Sequence, residues 1–283
     1  MAEALRIGDF ELRWLEGGVF ELDGGTMFGV VPKVLWAKKL PPVEDNYIRL
    51  PNAPVLVKTP SALVLVDTGL GNKLTEKQKR IYRVTKEWDV PGSLAALGLA
   101  PGDVTHVVLT HLDFDHAGGV VLKRDGRREL AFPRARHIVQ RAEWEDAASP
   151  NRRAAGSYWA ANFEGLVQGV NLRLVDGEHT VCEGVTVHPT GGHTRGHQVV
   201  RVASGGQTAL HLADLLPTHL HFNPLWVMAY DNFPLDAIAR KEELERKGVE
   251  EGAWFTFYHD PFLAACTFDE KGNAVRKIEM DRT

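Results

Sequence analysis

The sequence predicts a layered α/β or α+β domain, and three observations carry that expectation. Short apolar runs the length of buried strands recur from one end of the chain to the other. Helix-compatible stretches lie between them, the clearest at 231–252. No linker, repeat or low-complexity segment interrupts residues 1–283, so one domain is expected.

Taken in order, residues 6–22 alternate loosely through Ile7, Phe10, Leu12, Trp14 and Leu15, as strands at a sheet edge do. Residues 24–54 are rich in Gly and Pro with scattered aromatics (Phe28, Trp36, Tyr47) and read as a long surface excursion. The continuous apolar run 62–66 reads as a buried strand stopped by Asp67-Thr68-Gly69. Residues 72–88 are charged and helix-compatible, and 93–98 form a second short helix ended by Gly98 and Pro101. Further strands are expected at 106–110, 135–140, 172–175 and 185–188, with a helix starting near Ala142. A hairpin over 199–202 and 208–212 turns at Ser204-Gly205-Gly206. Residues 216–233 form another excursion, rich in Pro, His and aromatics. In the helix that follows, Asn232 is the expected cap, Pro234 lies in the first turn, and Glu242/Arg246 and Glu243/Lys247 have ion-pair spacing. A last strand covers 254–258, and a C-terminal hairpin turns near 269–273.

The composition sets limits. With 44% hydrophobic and 25% charged residues the chain has an ordinary globular balance. The net charge of −4 comes without any Lys/Arg block, so neither nucleic acid nor an anionic membrane is an expected partner. The first residues lack an apolar signal region, and no apolar run approaches ~18 residues. A cytoplasmic location is therefore expected. Cys182 and Cys266 stand far apart, outside any Cys-x-x-Cys pattern, and read as free thiols.

Chemistry concentrates where strands end. The run Thr110-His111-Leu112-Asp113-Phe114-Asp115-His116-Ala117-Gly118-Gly119 follows an apolar strand. A tight turn through Ala-Gly-Gly would swing Asp115 and His116 back toward His111 and Asp113. His193 lies in the glycine-rich loop 189–197, Asp214 follows the strand 208–212, and His259 follows 254–258. Pooled, His111, His116, His193 and His259 with Asp113, Asp115 and Asp214 suffice for two metals sharing a carboxylate. Mixed imidazole and carboxylate ligation suits zinc, iron or manganese. Such a pair would hold a hydroxide at neutral pH and polarise a carbonyl or phosphoryl oxygen. His219 and His221 compete with His259 for its place. His197 reads as a buried, hydrogen-bonded histidine near the site, and His106, His137, His179, His188 and His211 as structural.

The series Val66-Asp67-Thr68-Gly69, Thr110-His111-x-Asp113-x-Asp115-His116-x-Gly-Gly, Gly192-His193-Thr194-x-Gly196-His197, Ala213-Asp214 and Tyr258-His259-Asp260 resembles the five ordered motifs of the metallo-β-lactamase superfamily. The resemblance implies a four-layer αββα sandwich with two metals at one edge. It implies that His111, Asp113 and His193 hold the first metal. It gives Asp115, His116 and His259 to the second, with Asp214 bridging and Asp67 supporting histidines by hydrogen bonding. Most hydrolases of the superfamily carry His where this chain has Asp113. An aspartate there adds negative charge and shifts preference from zinc toward iron or manganese, unless it points away and leaves the first site weak.

Residues 191–197, 225–231 and 257–261 look most similar to lactonase-like members of the superfamily. That similarity implies substrate contacts from Phe28, Trp226, Met228 and Tyr230, and from Arg195, although Tyr230 and Arg195 also fit ordinary packing and surface charge. The expected function is hydrolysis of an ester or lactone in a small-molecule substrate. Asp214 and Asp115 are the catalytic candidates, phosphotriesters are a side activity, and a homodimer is allowed. The alternatives are a non-haem iron oxidoreductase related to the flavodiiron core, whose flavodoxin-like module has no counterpart here, and a non-catalytic binding member of the fold. A Ser-His-Asp hydrolase is disfavoured because no Gly-x-Ser-x-Gly appears.

Overall fold

The run at 63–66 is apolar at every position because both of its faces are covered. Val64 and Val66 sit in one buried cluster and Leu65 in another, as the alternation of side chains along a strand requires. A computed structural model describes residues 2–280 and shows what lies on each side.

Two seven-stranded sheets form the centre. The first runs β1 (Leu5–Ile7), β2 (Phe10–Trp14), β3 (Val55–Lys58), β4 (Leu63–Val66), β5 (His106–Val108), β6 (Arg136–Gln140) and β7 (Leu172–Val175), in spatial as in chain order. Pairing is antiparallel from β1 to β4 and parallel from β4 to β7. The second sheet runs β8 (His179–Cys182), β9 (Val185–Pro189), β10 (Gln198–Ser204), β11 (Gln207–His211), β12 (Trp254–Thr256), β13 (Leu263–Phe268) and β14 (Ala274–Glu279). Only β11 and β12 are parallel in it. Parallel neighbours need long crossovers, and these carry the helices.

The sheets face each other across Ile7, Leu12, Val57, Val64 and Val66 on one side and Val185, Val187, Val200, Val202 and Ala264 on the other, all buried. On the outer face of the first sheet, Leu56, Leu65, Val107 and Val139 pack against Val90 and Leu94 of the helix Val90–Ala96 and against the loop residues Val120 and Leu166. On the outer face of the second, Val199, Leu210 and Phe255 meet Ala237 and Leu244 of the helix Pro234–Glu250. These are the four layers of the αββα sandwich.

Several local expectations are corrected. Of residues 72–88 only Glu76–Ile81 is helical, closed by a Thr75/Gln78 capping box, and the following helix is Val90–Ala96 rather than 93–98. The strands expected over 106–110 and 254–258 stop at Val108 and Thr256, since their last residues turn into the site. Asn232 does not cap the long helix; Phe233 stands at that position, and the Asn232 side chain donates to His193 O at 3.0 Å. Arg246 pairs with Glu250 instead of Glu242, whereas Lys247 does meet Glu243 at 2.7 Å. Residues 24–54 are an excursion but not a surface one. The hairpin Val19–Asp23/Tyr47–Pro51 and the helices Gly24–Phe28 and Lys33–Trp36 bury Phe20, Met27, Phe28, Trp36, Ile48 and Leu50 in a fourth cluster. Phe28 is stacked between Trp36, ring centroids 5.3 Å apart, and His221 at 4.8 Å. Cys182 and Cys266 are free thiols, and no described helix is long and apolar enough to cross a membrane.

Leu65 is fully buried between the first sheet and its helices. The Leu65→Ala protein is expected to lose about 2–5 kcal/mol of stability in urea unfolding. A loss under about 1 kcal/mol would contradict a packed outer layer at this strand.

Candidate metal centre

The C-terminal ends of β4, β5, β9, β11 and β12 point to one edge of the sandwich, and the site grows from the turns that leave them. After β4, Asp67 takes a positive φ of 57°, a conformation aspartate tolerates better than most residues. Its carboxylate then accepts from Thr110 N at 2.8 Å and Thr110 Oγ1 at 2.7 Å, and pairs with His116 Nδ1 at 2.9 Å. After β5, the chain enters a helical turn, Phe114–Ala117, because His116 N and Ala117 N both donate to Asp113 O, and the expected tight turn through Gly118 and Gly119 follows it, with Val120 N donating to Ala117 O at 3.2 Å. Gly118 and Gly119 follow where a side chain has no room: a Cβ would lie 2.2 Å from Leu70 O in the first case and 2.3 Å from Thr68 O in the second. After β11, Ala213 is held at φ 46° immediately before Asp214. Such backbone strain costs about 1–3 kcal/mol and persists only where its surroundings enforce it.

Four imidazoles are thereby aimed inward by the same device. His116 Nδ1 is bonded to Asp67, His193 Nδ1 to Asp231 Oδ1 at 2.9 Å, and His259 Nδ1 to Pro51 O at 2.9 Å. His111 Nδ1 donates to Thr110 Oγ1 at 3.0 Å, since that hydroxyl gives its own proton to Asp67. With Nδ1–H committed in each ring, Nε2 is the atom left facing the centre, and in the neutral ring it carries a lone pair.

The inward atoms fall into two halves around Asp214. Its Oδ1 lies 3.2 Å from His116 Nε2 and 3.4 Å from His259 Nε2, with Asp115 Oδ2 at 3.8 and 3.5 Å from the same two nitrogens. Its Oδ2 lies 3.6 Å from His193 Nε2 and 4.0 Å from His111 Nε2, with Asp113 Oδ2 at 3.5 and 3.9 Å from those. Donor atoms about 2.0–2.1 Å from a tetrahedral cation would stand roughly 3.3 Å apart, close to the spacings found. The groups His111/His193/Asp214 and Asp115/His116/His259 each keep their ligand atoms within 4.8 Å of one another. His111 Nε2, His193 Nε2, Asp113 Oδ1 and Asp214 Oδ1 are buried without a hydrogen-bond partner. Buried acceptors without donors are costly, so the residues present fit a pair of cations.

Electrostatics agrees. Burial disfavours charge on His116, yet Asp214, Asp115 and Asp67 hold its pKa well above the imidazole range. Burial likewise opposes charge on His193, but the neighbouring carboxylates of Asp113, Asp231 and Asp214 raise its pKa. His111, with burial and two neighbouring histidines against it, is pushed well below. Burial also raises Asp115, while His116 and His259 outweigh burial at Asp214 and lower it. The carboxylates call for positive charge, and cations can take the place of the protons.

The surrounding residues divide differently from expectation. His219 and His221 do not compete with His259: one is held by Asp260, the other by Thr218 and Met27 O. His197 is buried with Nδ1 on Thr190 Oγ1, its ring 5.4 Å from that of His111. A cavity of about 390 Å³ opens onto Asp113, Asp115, His193, Asp214 and His259, with Met228, Tyr230, Leu22, Leu50, Tyr82 and Phe114 among its walls. Phe28 and Trp226 do not line it; Phe28 is fully buried, with Trp226 edge-on to it, in the cluster that also holds Met228. Arg195 lies elsewhere, exposed and paired with Asp146 and Glu145.

Sequence reasoning missed Asp231 and Glu143. Asp231 is 38 residues from the histidine it holds, and no local pattern marks it. Glu143 is fully buried and accepts from Leu112 N, Tyr158 Oη and Thr194 Oγ1, tying the 110–116 turn to the 193 loop. Burial pushes its carboxyl up to about 7 against those hydrogen bonds.

Residues 48–248 match the family model described as the metallo-beta-lactamase superfamily. An N-acyl homoserine lactonase of Azorhizobium caulinodans is 34% identical over 172 residues, covering 59% of this chain and 62% of that protein. A probable metallo-hydrolase of Mycobacterium tuberculosis is 32% identical over 223 residues, covering 67% of this chain and 66% of its own length. The chain thus spans less than two thirds of the one relative and just under two thirds of the other. The crystal structure of a probable metal-dependent hydrolase from Staphylococcus aureus superposes with a TM-score of 0.93 at 36% identity over 99% of both chains. The dizinc quorum-quenching lactonase AidC shares the fold, with a TM-score of 0.77 at 23% identity over 99% of this chain and 97% of its own.

Asn in place of Asp67 would keep the backbone conformation but lose the charge that holds His116. Chelator competition should then show about 10–100-fold weaker divalent-metal affinity with an unchanged circular dichroism spectrum. Unaltered affinity would mean that Asp67 only shapes its turn.

Proposed function

The chain belongs to the metallo-β-lactamase superfamily, and from that membership and the centre described above we propose that it is a metal-dependent hydrolase of esters or lactones. The observation that carries the reading is the buried cluster of inward imidazole nitrogens and carboxylate oxygens, four of them without a hydrogen-bond partner, opening onto a cavity. His111, His193 and Asp113 would hold one divalent ion, and His116, His259 and Asp115 the other, with Asp214 between them. Bound there, the ions would supply Lewis acidity and make a water-derived nucleophile available near neutral pH.

The chain's own part is placement and proton handling. Asp214 presents one carboxylate oxygen to each half, which suits it to take and return a proton during turnover, with Asp115 beside it as the second candidate. Met228, Leu22, Leu50 and Phe114 offer an apolar wall to an acyl chain, and Tyr230 brings a hydroxyl that is bonded to Thr26. Similarity to a lactonase of Azorhizobium caulinodans supports the lactone as substrate class; phosphotriesters would be a side activity. Since both sheets contribute strand ends to the one centre, we also read residues 1–283 as one domain.

Zinc is the first expectation for the metal. The carboxylate of Asp113, facing two imidazoles of one half, makes that half harder and favours iron or manganese there. The same observation supports the second reading, a non-haem iron oxidoreductase.

Element analysis of protein purified without added metal, run beside an ester, lactone and phosphotriester panel, separates the two readings. Divalent metal with ester or lactone turnover is expected; redox-active iron with oxygen consumption and no hydrolysis would replace this reading by the second. His111→Ala and His116→Ala should each lose metal and lower hydrolysis by at least about 100-fold, and retention of both properties would refute the proposal. Asp113→His should raise the zinc content relative to iron and manganese. An unchanged metal ratio would show that residue 113 is not a ligand.

A further inference from the structure

Among the described residues, the cavity over the metal centre is lined by one side-chain cation besides its histidines, Arg153. This arginine follows the helix Arg141–Ala148 and precedes the 3₁₀ turn Ala154–Gly156. Its Nε donates to Asn232 Oδ1 at 2.9 Å, and its Nη2 donates to Ala229 O and, at 2.9 Å, to Asp231 O. All three acceptors are uncharged, and the last two are backbone carbonyls.

Arg153 is exposed at the rim of the cavity, and its unpaired charge and free donors distinguish it from a purely structural clasp. No carboxylate of the described residues stands within ion-pair distance of it, although Asp113, Asp115 and Asp214 line the same cavity; they face the imidazoles instead. Arg195, by contrast, has its charge paired with Asp146 and Glu145. In addition, Nη1 of Arg153 has no protein partner among the described residues, leaving two N–H groups for a ligand. The guanidinium is therefore oriented in advance by neutral groups that do not cancel its charge. That combination recognises an anion with little ordering cost.

Building on the hydrolase reading above, we propose that Arg153 is a specificity-determining residue and that the substrate class is an ester or lactone bearing a carboxylate remote from the bond that is cleaved. The reacting carbonyl lies at the metal edge, and the remote carboxylate reaches the mouth, where Nη1 of Arg153 receives it. With cations held in the centre, the charges of Asp113, Asp115 and Asp214 would be balanced and the cavity would not repel such a substrate. The arrangement also joins recognition to the centre: the carbonyl of Asp231 holds Arg153 while its carboxylate holds His193.

The test uses the full-length, metal-loaded protein and two matched substrates, 4-nitrophenyl hemiglutarate and 4-nitrophenyl valerate. The wild-type preference, the ratio of kcat/KM for the anionic over the neutral ester, should fall about tenfold in Arg153→Gln. Arg153→Lys should retain most of it, and added salt should erode it in the wild type. Equal loss on both esters would mark Arg153 as a structural clasp, and an unchanged ratio would mean that it meets solvent; either result overturns the proposal. If the wild type cleaves neither ester, the hydrolase reading is judged by the panel above, and binding decides the role of Arg153. By calorimetry glutarate should bind about tenfold tighter than butyrate to the wild type and no tighter to Arg153→Gln. Equal binding of the two acids by the wild type would overturn it.

Discussion

Everything at the site follows from one electrostatic constraint: buried imidazole nitrogens and carboxylate oxygens converge on two points, and the carboxylate charge gathered there calls for cations. Four Nε2 atoms and the carboxylates of Asp113, Asp115 and Asp214 approach to 3.2–4.0 Å. Left alone, such a cluster is repulsive and poorly solvated. Cations relieve both problems at once. The packing, hydrogen bonding and backbone strain around the cluster can be read as the means of holding it together until they bind.

Two rigid sheets supply most of that holding. Strand ends bring Asp67, His111, Asp214 and His259 to one edge without requiring a long loop to find its own position. The remaining positions are fixed by buried polar groups that span distant parts of the chain. Asp67 joins the 67 turn to Thr110 and His116; Glu143 joins the 112 turn to Thr194 and Tyr158; Asp231 joins the excursion before the long helix to His193. Each of these is a carboxylate almost wholly shielded from solvent. A carboxylate so placed is tolerable only when its hydrogen bonds are met, which makes the three groups sensitive to any shift of their partners.

The segment between the first sheet's edge strands and the cavity has a second task. Phe20, Met27, Phe28, Trp36, Ile48 and Leu50 form a small core of their own, from which Met27 and Leu50 reach the cavity wall. Its Gly- and Pro-rich composition suggested a surface path, because periodicity is lost when apolar residues belong to short helices and turns. What buries these residues is mutual contact, including the stack of Trp36, Phe28 and His221, and His221 comes from a different part of the chain.

Strand positions, the layered class and the inward residues His111, Asp115, His116, His193, Asp214 and His259 were legible in the sequence, since apolar runs ending in ligand-type residues are local patterns. The sequence by itself determined which side chains are available for a metal centre and that Asp113 stands among them. Only the tertiary structure decided how they divide between the two oxygens of Asp214, that Phe28, Trp226 and Arg195 do not line the cavity, and that Asp231, Glu143 and Arg153 belong to the picture. The physical reason is range. Strand burial and turn chemistry act over a few neighbouring residues, whereas a ring orientation or the partner of a buried charge depends on groups tens of residues away, brought close only when both sheets have packed.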